Sequence, residues 1–298
     1  MFGLLNLNKP CGLTSRDVVN RVQTLVRPVK TGHAGTLDPL ASGVLIVCLG
    51  PATRLVPILH EMSKVYRATF RWGCRSESDD IESEIIKLAE GPELSHASLS
   101  AALPEFLGRI EQVPPSYSAV KIGGRRAYKL ARAGRDVTPP SRTVQVHRLE
   151  LLDCTADEFS LEIECGTGTY IRSLGRDIAV RLGSGAVMTE LVRVSVGPFD
   201  LVSSTDVQTL VSRADIEQSL QPALTAVDRW PRCEIDSDGM ELLRNGRPLP
   251  SAARDEGERV AIVDSNAELL ALGESRGDQV YPKQVFITVH GADTPSVQ

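Results

Sequence analysis

The 298-residue chain is 42% hydrophobic and only 4% aromatic, and its formal net charge is −5. That size fills one large core and a smaller unit beside it, while the acidic total excludes a polyanion binder that is basic all over. The six cysteines form no C-x-x-C pair, and the N-terminus MFGLLNLNKP has neither a basic start nor a long apolar run, so the expectation is a cytoplasmic protein without disulfides, neither secreted nor membrane-spanning.

Residues 3–8 read as a short strand. Thr14 or Ser15 can cap a helix through Val18, Val19, Val22 and Leu25, which Pro28 stops. The stretch KTGHAGTLDPLASGVLIVCL, residues 30–49, then sets His33, Gly35, Thr36 and Asp38 in a glycine-broken loop ahead of a buried strand at Val44 to Val47. A polar loop delivered by a buried strand holds a reactive side chain rigidly, and one carboxylate limits the chemistry to what one Asp can carry. Residues 53–62 follow as a helix. Residues 65–72 alternate, with Tyr66, Ala68, Phe70 and Trp72 on one face of a half-buried strand. Residues 99–107 read as a short helix. Between Arg109 and Arg148 lie Lys121, Arg125, Arg126, Lys129, Arg132, Arg135 and Arg142, opposed only by Glu111 and Asp136. Such a run is by itself a solvated helix face, here expected at about 125–133 and stopped by Gly134. Residues 144–152 and 159–165 are strands, 169–182 an amphipathic helix opened by Thr169, 186–196 a strand, and 203–226 helix-like. Strands outnumber crossovers, which predicts an α+β fold with a mixed, mainly antiparallel sheet and helices against it. Beyond a junction at 228–232 a small β-rich unit is expected, with strands at 240–244, 260–263 and 269–272 and a turn at Asn245-Gly246. The boundaries so read are 1–230, 231–290 and a flexible tail at 291–298.

Asp38 precedes Pro39, and a lone D-P pair is most often an ordinary turn. Its setting reverses that reading. The pattern G-H-x-G-T-L-D-P-x-A-S/T-G-V-L around it resembles the tRNA pseudouridine synthase B (TruB) family. Further blocks match in family order. Asn8-Lys9-Pro10-Cys11-Gly12-Leu13-Thr14-Ser15 is similar to K-P-x-G-x-T-S. Val113 to Lys121, VPPSYSAVK, is followed by Gly124, Arg125, Arg126, Ala127, Tyr128, Ala131 and Arg132. Cys165 to Leu174, CGTGTYIRSL, is similar to G-T-Y-I-R-S/T-L. The resemblance spans nearly the whole chain.

It implies a pseudouridine synthase catalytic fold followed by a PUA-like RNA-binding domain. The implied activity is isomerisation of uridine-55 in the T-loop of tRNA to pseudouridine, with Asp38 as the catalytic carboxylate. Arg172, in T-Y-I-R, would pair with Asp38 and keep it ionised despite burial. Tyr66, in K-x-Y-R, would stack on the target base and help remove the C5 proton. Leu191 would line an apolar pocket, and His33 would hold the region of the flipped-out nucleotide. On their own, Arg172 passes as a surface helix residue and Tyr66 and Leu191 as core. Lys9 and Lys30 are candidate phosphate contacts, while Tyr117 and Lys121 read as scaffold. The basic stretch is expected to meet phosphate. The acidic run Glu77, Asp79, Asp80, Glu82 and Glu84 is expected on a loop away from the RNA.

The implied partner is the T-arm stem-loop of tRNA, met by a monomer with no membrane association. No cofactor and no metal are expected. The isomerisation breaks an N-glycosidic bond, turns the base and forms a C–C bond, with nothing oxidised or hydrolysed, and the five histidines lack metal-ligand spacing. A carboxylate suffices as nucleophile or base. Whether it adds to the base, attacks the anomeric carbon or takes a ribose proton stays open. One departure is visible: the family's T-D-T-x-D-x-x-G is here Ser76-Glu77-Ser78-Asp79-Asp80-Ile81-Glu82-Ser83, without the final Gly. Among rival readings, a nucleotide-cradling loop fails because G-x-x-x-x-G-K-S/T is absent and the loop precedes a strand. A non-catalytic tRNA binder is opposed by the presence of Asp38, and a synthase acting on another RNA is compatible with the sequence.

Overall fold

The computed structural model describes residues 1–118, 139–252 and 255–287, together with the strand backbone of Lys121–Ile122 and Arg125–Arg126. Strand β1 (Gly3–Lys9) is followed by helix α1 (Ser15–Val26), which Thr14 opens in a capping box with Asp17. Val18, Val19, Val22 and Val26 form its buried stripe. Strands β2 (Thr31–Ala34) and β3 (Ser42–Leu49) bracket the Asp38 loop. After a 3-10 turn come α2 (Val56–Glu61) and β4 (Lys64–Trp72), where Ala68 and Phe70 are buried and Arg67 and Arg71 exposed. The short pair β5 (Cys74–Arg75) and β6 (Ile86–Lys87) brackets the acidic loop. Then follow α3 (His96–Ala102), β7 (Gly108–Gln112), β8 (Lys121–Ile122), β9 (Arg125–Arg126), β10 (Arg142–Cys154), β11 (Glu158–Cys165), α4 (Ile171–Arg181) and β12 (Ala186–Val196). Short strands β13 (Phe199–Asp200) and β14 (Thr205–Asp206) precede α5 (Arg213–Gln218).

Ten of these strands form one sheet, in the order β14-β1-β3-β12-β4-β11-β10-β7, with β13 beside β12 and β2 beside β3. Only the β1–β14 and β3–β12 pairs are parallel, so the sheet is mixed and mainly antiparallel, as expected. Helix α4 lies across it. A Cβ on Gly175 would come within 2.0 Å of the Phe70 ring, so only glycine lets α4 approach β4 this closely. That contact sits one turn from Arg172 and fixes the height of the helix over the sheet.

Strands β15 (Arg232–Glu234), β16 (Leu249–Pro250), β17 (Arg259–Val263), β18 (Leu269–Arg276) and β19 (Gln279–Val285), with helix α6 (Ser237–Arg244), build a separate sheet in the order β15-β17-β18-β19-β16. Its inner face is not closed on itself. Ala261, Val263, Leu269, Leu272 and Phe286 share one apolar cluster with Leu4, Val44, Ile46, Leu55 and Leu59. Phe2 and Phe286 pack with ring centroids 5.2 Å apart, and Arg259 pairs with Glu61 at 2.9 Å.

Several local expectations are corrected. Residues 240–244 belong to helix α6, capped by the Asp236 side chain, and are not a strand. The stretch 203–226 is broken into β14, 3-10 turns and α5; Asp206 caps the first 3-10 turn and Ser212 caps α5. Thr169 does not cap α4; its hydroxyl donates to the Gly166 carbonyl and Tyr170 occupies the cap position. Arg125–Arg126 pairs antiparallel with Lys121–Ile122 instead of starting a helix. Residues 127–138 of that basic segment and the tail at 291–298 lie outside the described residues. No helix among the described residues is long and apolar enough to cross a membrane.

Candidate active site

The Asp38 loop is held by the segment that follows β1. The Ser15 hydroxyl, 2% exposed, accepts from the Leu37 N–H at 2.8 Å and donates to the Leu37 carbonyl at 3.1 Å. The Gly12 N–H donates to the Pro39 carbonyl at 2.8 Å. The ammonium of Lys9 is fully buried and donates to the carbonyls of Leu13 at 2.6 Å, Pro10 at 3.0 Å and Pro39 at 3.4 Å. Lys9 is therefore no phosphate contact. Its charge is spent on backbone dipoles beside the loop, and burial lowers its pKa. On the other side, Arg193 is 1% exposed and donates to the carbonyls of Val44 at 2.6 Å and Gly35 at 3.1 Å. Gly35 turns at φ +88, a left-handed conformation next to that guanidinium.

Arg172 meets this loop from α4. It is 5% exposed, and its two terminal nitrogens reach four oxygens. One nitrogen lies 3.0 Å from the Asp38 carboxylate and donates to the Tyr117 carbonyl at 3.2 Å. The other lies 3.1 Å from the Asp80 carboxylate and donates to the Ser78 carbonyl at 2.8 Å. Asp80, from the acidic run expected on a loop away from the RNA, is fully buried against the same arginine as Asp38. Asp79 pairs with Arg176 at 2.6 Å and its carbonyl accepts from Met188, which stitches the loop to α4 and β12. Burial pushes the Asp38 carboxyl above the ordinary range. Arg172 pulls it back, and the negative charge of Asp80 adds to the upward push.

Tyr66 faces Arg193 across the β4–β12 register, and Leu191 faces Ala68 two residues on. Tyr66 and Leu191 share an apolar cluster with Leu37 and Ala41, which flank Asp38 in the chain. Burial raises the Tyr66 pKa, so the phenol keeps its proton at neutral pH. His33 lies on β2, not within the loop. Burial, reinforced by Arg16 and Arg193, lowers its pKa and keeps the imidazole neutral. Its Nδ1 is buried without a hydrogen-bond partner. Lys30 is exposed on the approach to β2. Among the described residues, no group of three or more His, Cys, Asp or Glu side chains could hold a metal ion. The site thus carries one partly exposed carboxylate, held by one buried guanidinium, with Leu191 buried in the adjoining apolar cluster.

Residues 23–171 match the family model described as TruB family pseudouridylate synthase (N terminal domain). A tRNA pseudouridine synthase B of Acaryochloris marina is 39% identical over 291 residues, spanning 96% of this chain and 99% of that protein. The tRNA pseudouridine synthase B of Synechocystis is 42% identical over 243 residues, spanning 80% of this chain and 82% of that one. The chain belongs to the TruB family. As a pseudouridine synthase, this TruB-family protein is an isomerase. Among solved structures, a Cbf5-Nop10-Gar1 complex contains a similar chain, with a TM-score of 0.73 at 30% identity over 96% of this chain and 85% of that one. An H/ACA RNP bound to a substrate RNA containing 2'-deoxyuridine contains another, with a TM-score of 0.74 at 27% identity over 97% of this chain and 86% of that one.

Within this TruB-family site, sequence reading missed Asp80, Arg193 and Ser15. Asp80 hid in a charge run that reads as solvated, with its partner in a distant helix. Arg193 sat next to the recognised Leu191 on a strand otherwise apolar at its start, and a cation in such a strand is the signal that could have found it. Ser15 was seen as the last residue of a family-like block and as an alternative cap, a role that Thr14 takes instead.

Proposed function

We propose that this enzyme isomerises uridine-55 in the T-loop of tRNA to pseudouridine, with Asp38 as the catalytic carboxylate. The observation that carries the reading is the Asp38–Arg172 pair at 3.0 Å, in which a buried cation holds one partly exposed carboxylate at the surface of a rigid loop. Burial alone would favour the neutral acid, and the guanidinium favours the charge that a nucleophile or base needs. Tyr66 stacks on the base, with its protonated phenol at hand near C5. Leu191 supplies the apolar floor, and His33 and Lys30 contact RNA. The target lies in a folded loop, so it must leave its stack to reach Asp38, and phosphate contacts and a fitted pocket offset that cost. Residues 1–230 form the catalytic domain, 231–290 a PUA-like RNA-binding domain and 291–298 a tail, in a cytoplasmic monomer. The relatives named tRNA pseudouridine synthase B support tRNA as the substrate class.

Tritium release from a T-arm hairpin labelled at uridine C5 tests the reaction, and carbodiimide mapping of a treated tRNA transcript tests the position. Asp38→Asn should release no tritium while binding RNA within about tenfold of wild type, because the charge acts at the reacting centre. Substantial turnover by this variant removes Asp38 from its role. A carbodiimide stop away from position 55 removes the assigned site.

A further inference from the structure

The acidic loop departs from the family pattern at its last position, where Ser83 replaces the glycine, and the structure gives that hydroxyl a use. Ser78 is 2% exposed, and each of its polar groups is engaged. Its N–H donates to the Ser83 hydroxyl at 2.9 Å. Its carbonyl accepts from Arg172 at 2.8 Å. Its own hydroxyl lies 2.5 Å from the Ser83 hydroxyl and 2.5 Å from the Asp80 carboxylate.

Counting protons orders this chain. A hydroxyl has one hydrogen to give. Ser78 Oγ–H must point at the Asp80 carboxylate, which as an anion can only accept. Ser83 Oγ–H must then point at Ser78 Oγ, while Ser83 Oγ accepts the Ser78 N–H. Every hydrogen is used once, and all the dipoles point toward Asp80. The Glu82 N–H adds a second donor to the same carboxylate oxygen at 2.9 Å. The other oxygen of Asp80 faces Arg172, whose opposite nitrogen faces Asp38.

We propose that Ser83 and Ser78 are positioning residues for the reaction, holding the Asp80 carboxylate in place and Arg172 seated so that its second nitrogen stays on Asp38. This rests on the reading of Asp38 as the catalytic carboxylate. Two negative or partly negative oxygens, of Asp80 and Ser78, draw the other end of Arg172 toward the interior side, and the Asp38 contact survives only while that side is geometrically fixed. Without the Ser83 hydrogen the Ser78 hydroxyl loses its donor, and the Ser78 N–H loses its acceptor. The loop can then rotate the Ser78 carbonyl, and Arg172 follows it.

The test uses the full-length protein with Ser83→Ala and Ser83→Thr, measuring kcat and KM for a T-arm hairpin by tritium release, with Asp38→Asn in the same series. Ser83→Ala should lower kcat about tenfold, the size expected for one lost hydrogen bond in a charge-linked chain. KM should stay within about twofold, because no RNA contact is removed. Ser83→Thr keeps the hydroxyl and should recover kcat to within about threefold of wild type. Ser83→Ala at wild-type kcat overturns the proposal, and so does a fall in kcat that Thr does not recover or one matched by a rise in KM. Should Ser83→Ala lose its cooperative melt, Ser78→Ala takes its place with the same expected split and the same overturning results. Activity in Asp38→Asn would instead bring down the catalytic reading, so the two failures are told apart.

Discussion

Arg172 and Arg193 are both buried beside the Asp38 loop, at 5% and 1% exposure, and they sit in opposite company. Around Arg172 are two carboxylates and two carbonyls. Arg193 donates to two carbonyls, and the titratable groups it acts on include Lys64, His33 and His60, whose proton affinities it lowers. The first arginine opposes the upward push that burial gives the Asp38 carboxyl. The second adds to burial in lowering the proton affinity of nearby bases and pins the backbone at both ends of the loop. Burial of an arginine therefore does not assign its role; the charge of what surrounds it does.

The largest expected effect lies on the structural side of this contrast. Arg193→Met leaves the Gly35 and Val44 carbonyls without their donor in a dry region. Each buried unsatisfied acceptor costs about 1–3 kcal/mol, so urea unfolding should show a loss of about 2–5 kcal/mol. A variant within about 0.5 kcal/mol of wild type would erase the distinction, because Arg193 would then not be holding the loop.

On the chemical side, Arg172→Lys keeps the charge and loses the fork. A lysine ammonium cannot span Asp38 and Asp80 together, nor serve the Ser78 and Tyr117 carbonyls as well. Tritium release should report kcat lower by about a hundredfold, with KM little changed. The pH profile adds a sign. If Asp38 is the catalytic carboxylate, as proposed, turnover needs it ionised and the rate falls as pH drops through its pKa. Burial already raises that pKa and Arg172 opposes the rise, so the acidic limb should lie above the ordinary Asp range and move further up in the Lys variant. Near-wild-type kcat would mean that a point charge suffices.

The same contrast separates what could be read from residues alone. The Asp38 loop, the Tyr66 strand and the Arg172 helix were legible because each is local: a glycine-broken loop before an apolar run, a period-two strand, a helix closed by glycine. Asp80 was not, since its partner Arg172 is brought to it only by α4 lying across the sheet. Lys9 was misread for the converse reason. A lysine before proline looks like surface, and nothing local reports that several carbonyls converge on its ammonium. Residues 240–244 offered too few positions to separate a helical from a strand period. The usable signal lay upstream, in Asp236 as a helix cap.

The smallest expected effect tests the cation-rich side through Lys64. Its ammonium is 7% exposed and donates to the carbonyls of His60 and Met62. Burial first, and Arg193 second, pull its pKa down to about 8. In the unfolded chain the same group titrates near the ordinary lysine value of about 10.4. Below the folded pKa both states hold the proton, and the cost of burying the charge is fully present. As pH rises past about 8 the folded protein releases the proton while the unfolded chain keeps it, so stability contributed by this site grows with pH up to the unfolded value. Lys64→Met removes that titration and leaves the others in place. Urea unfolding at pH 7.5 and 9.5 should therefore show wild type gaining about 1–2 kcal/mol relative to the Met variant. Parallel curves, with no gain by wild type, would mean that Lys64 stays charged beside Arg193, and the cation-rich side would then not enforce neutrality on its neighbours.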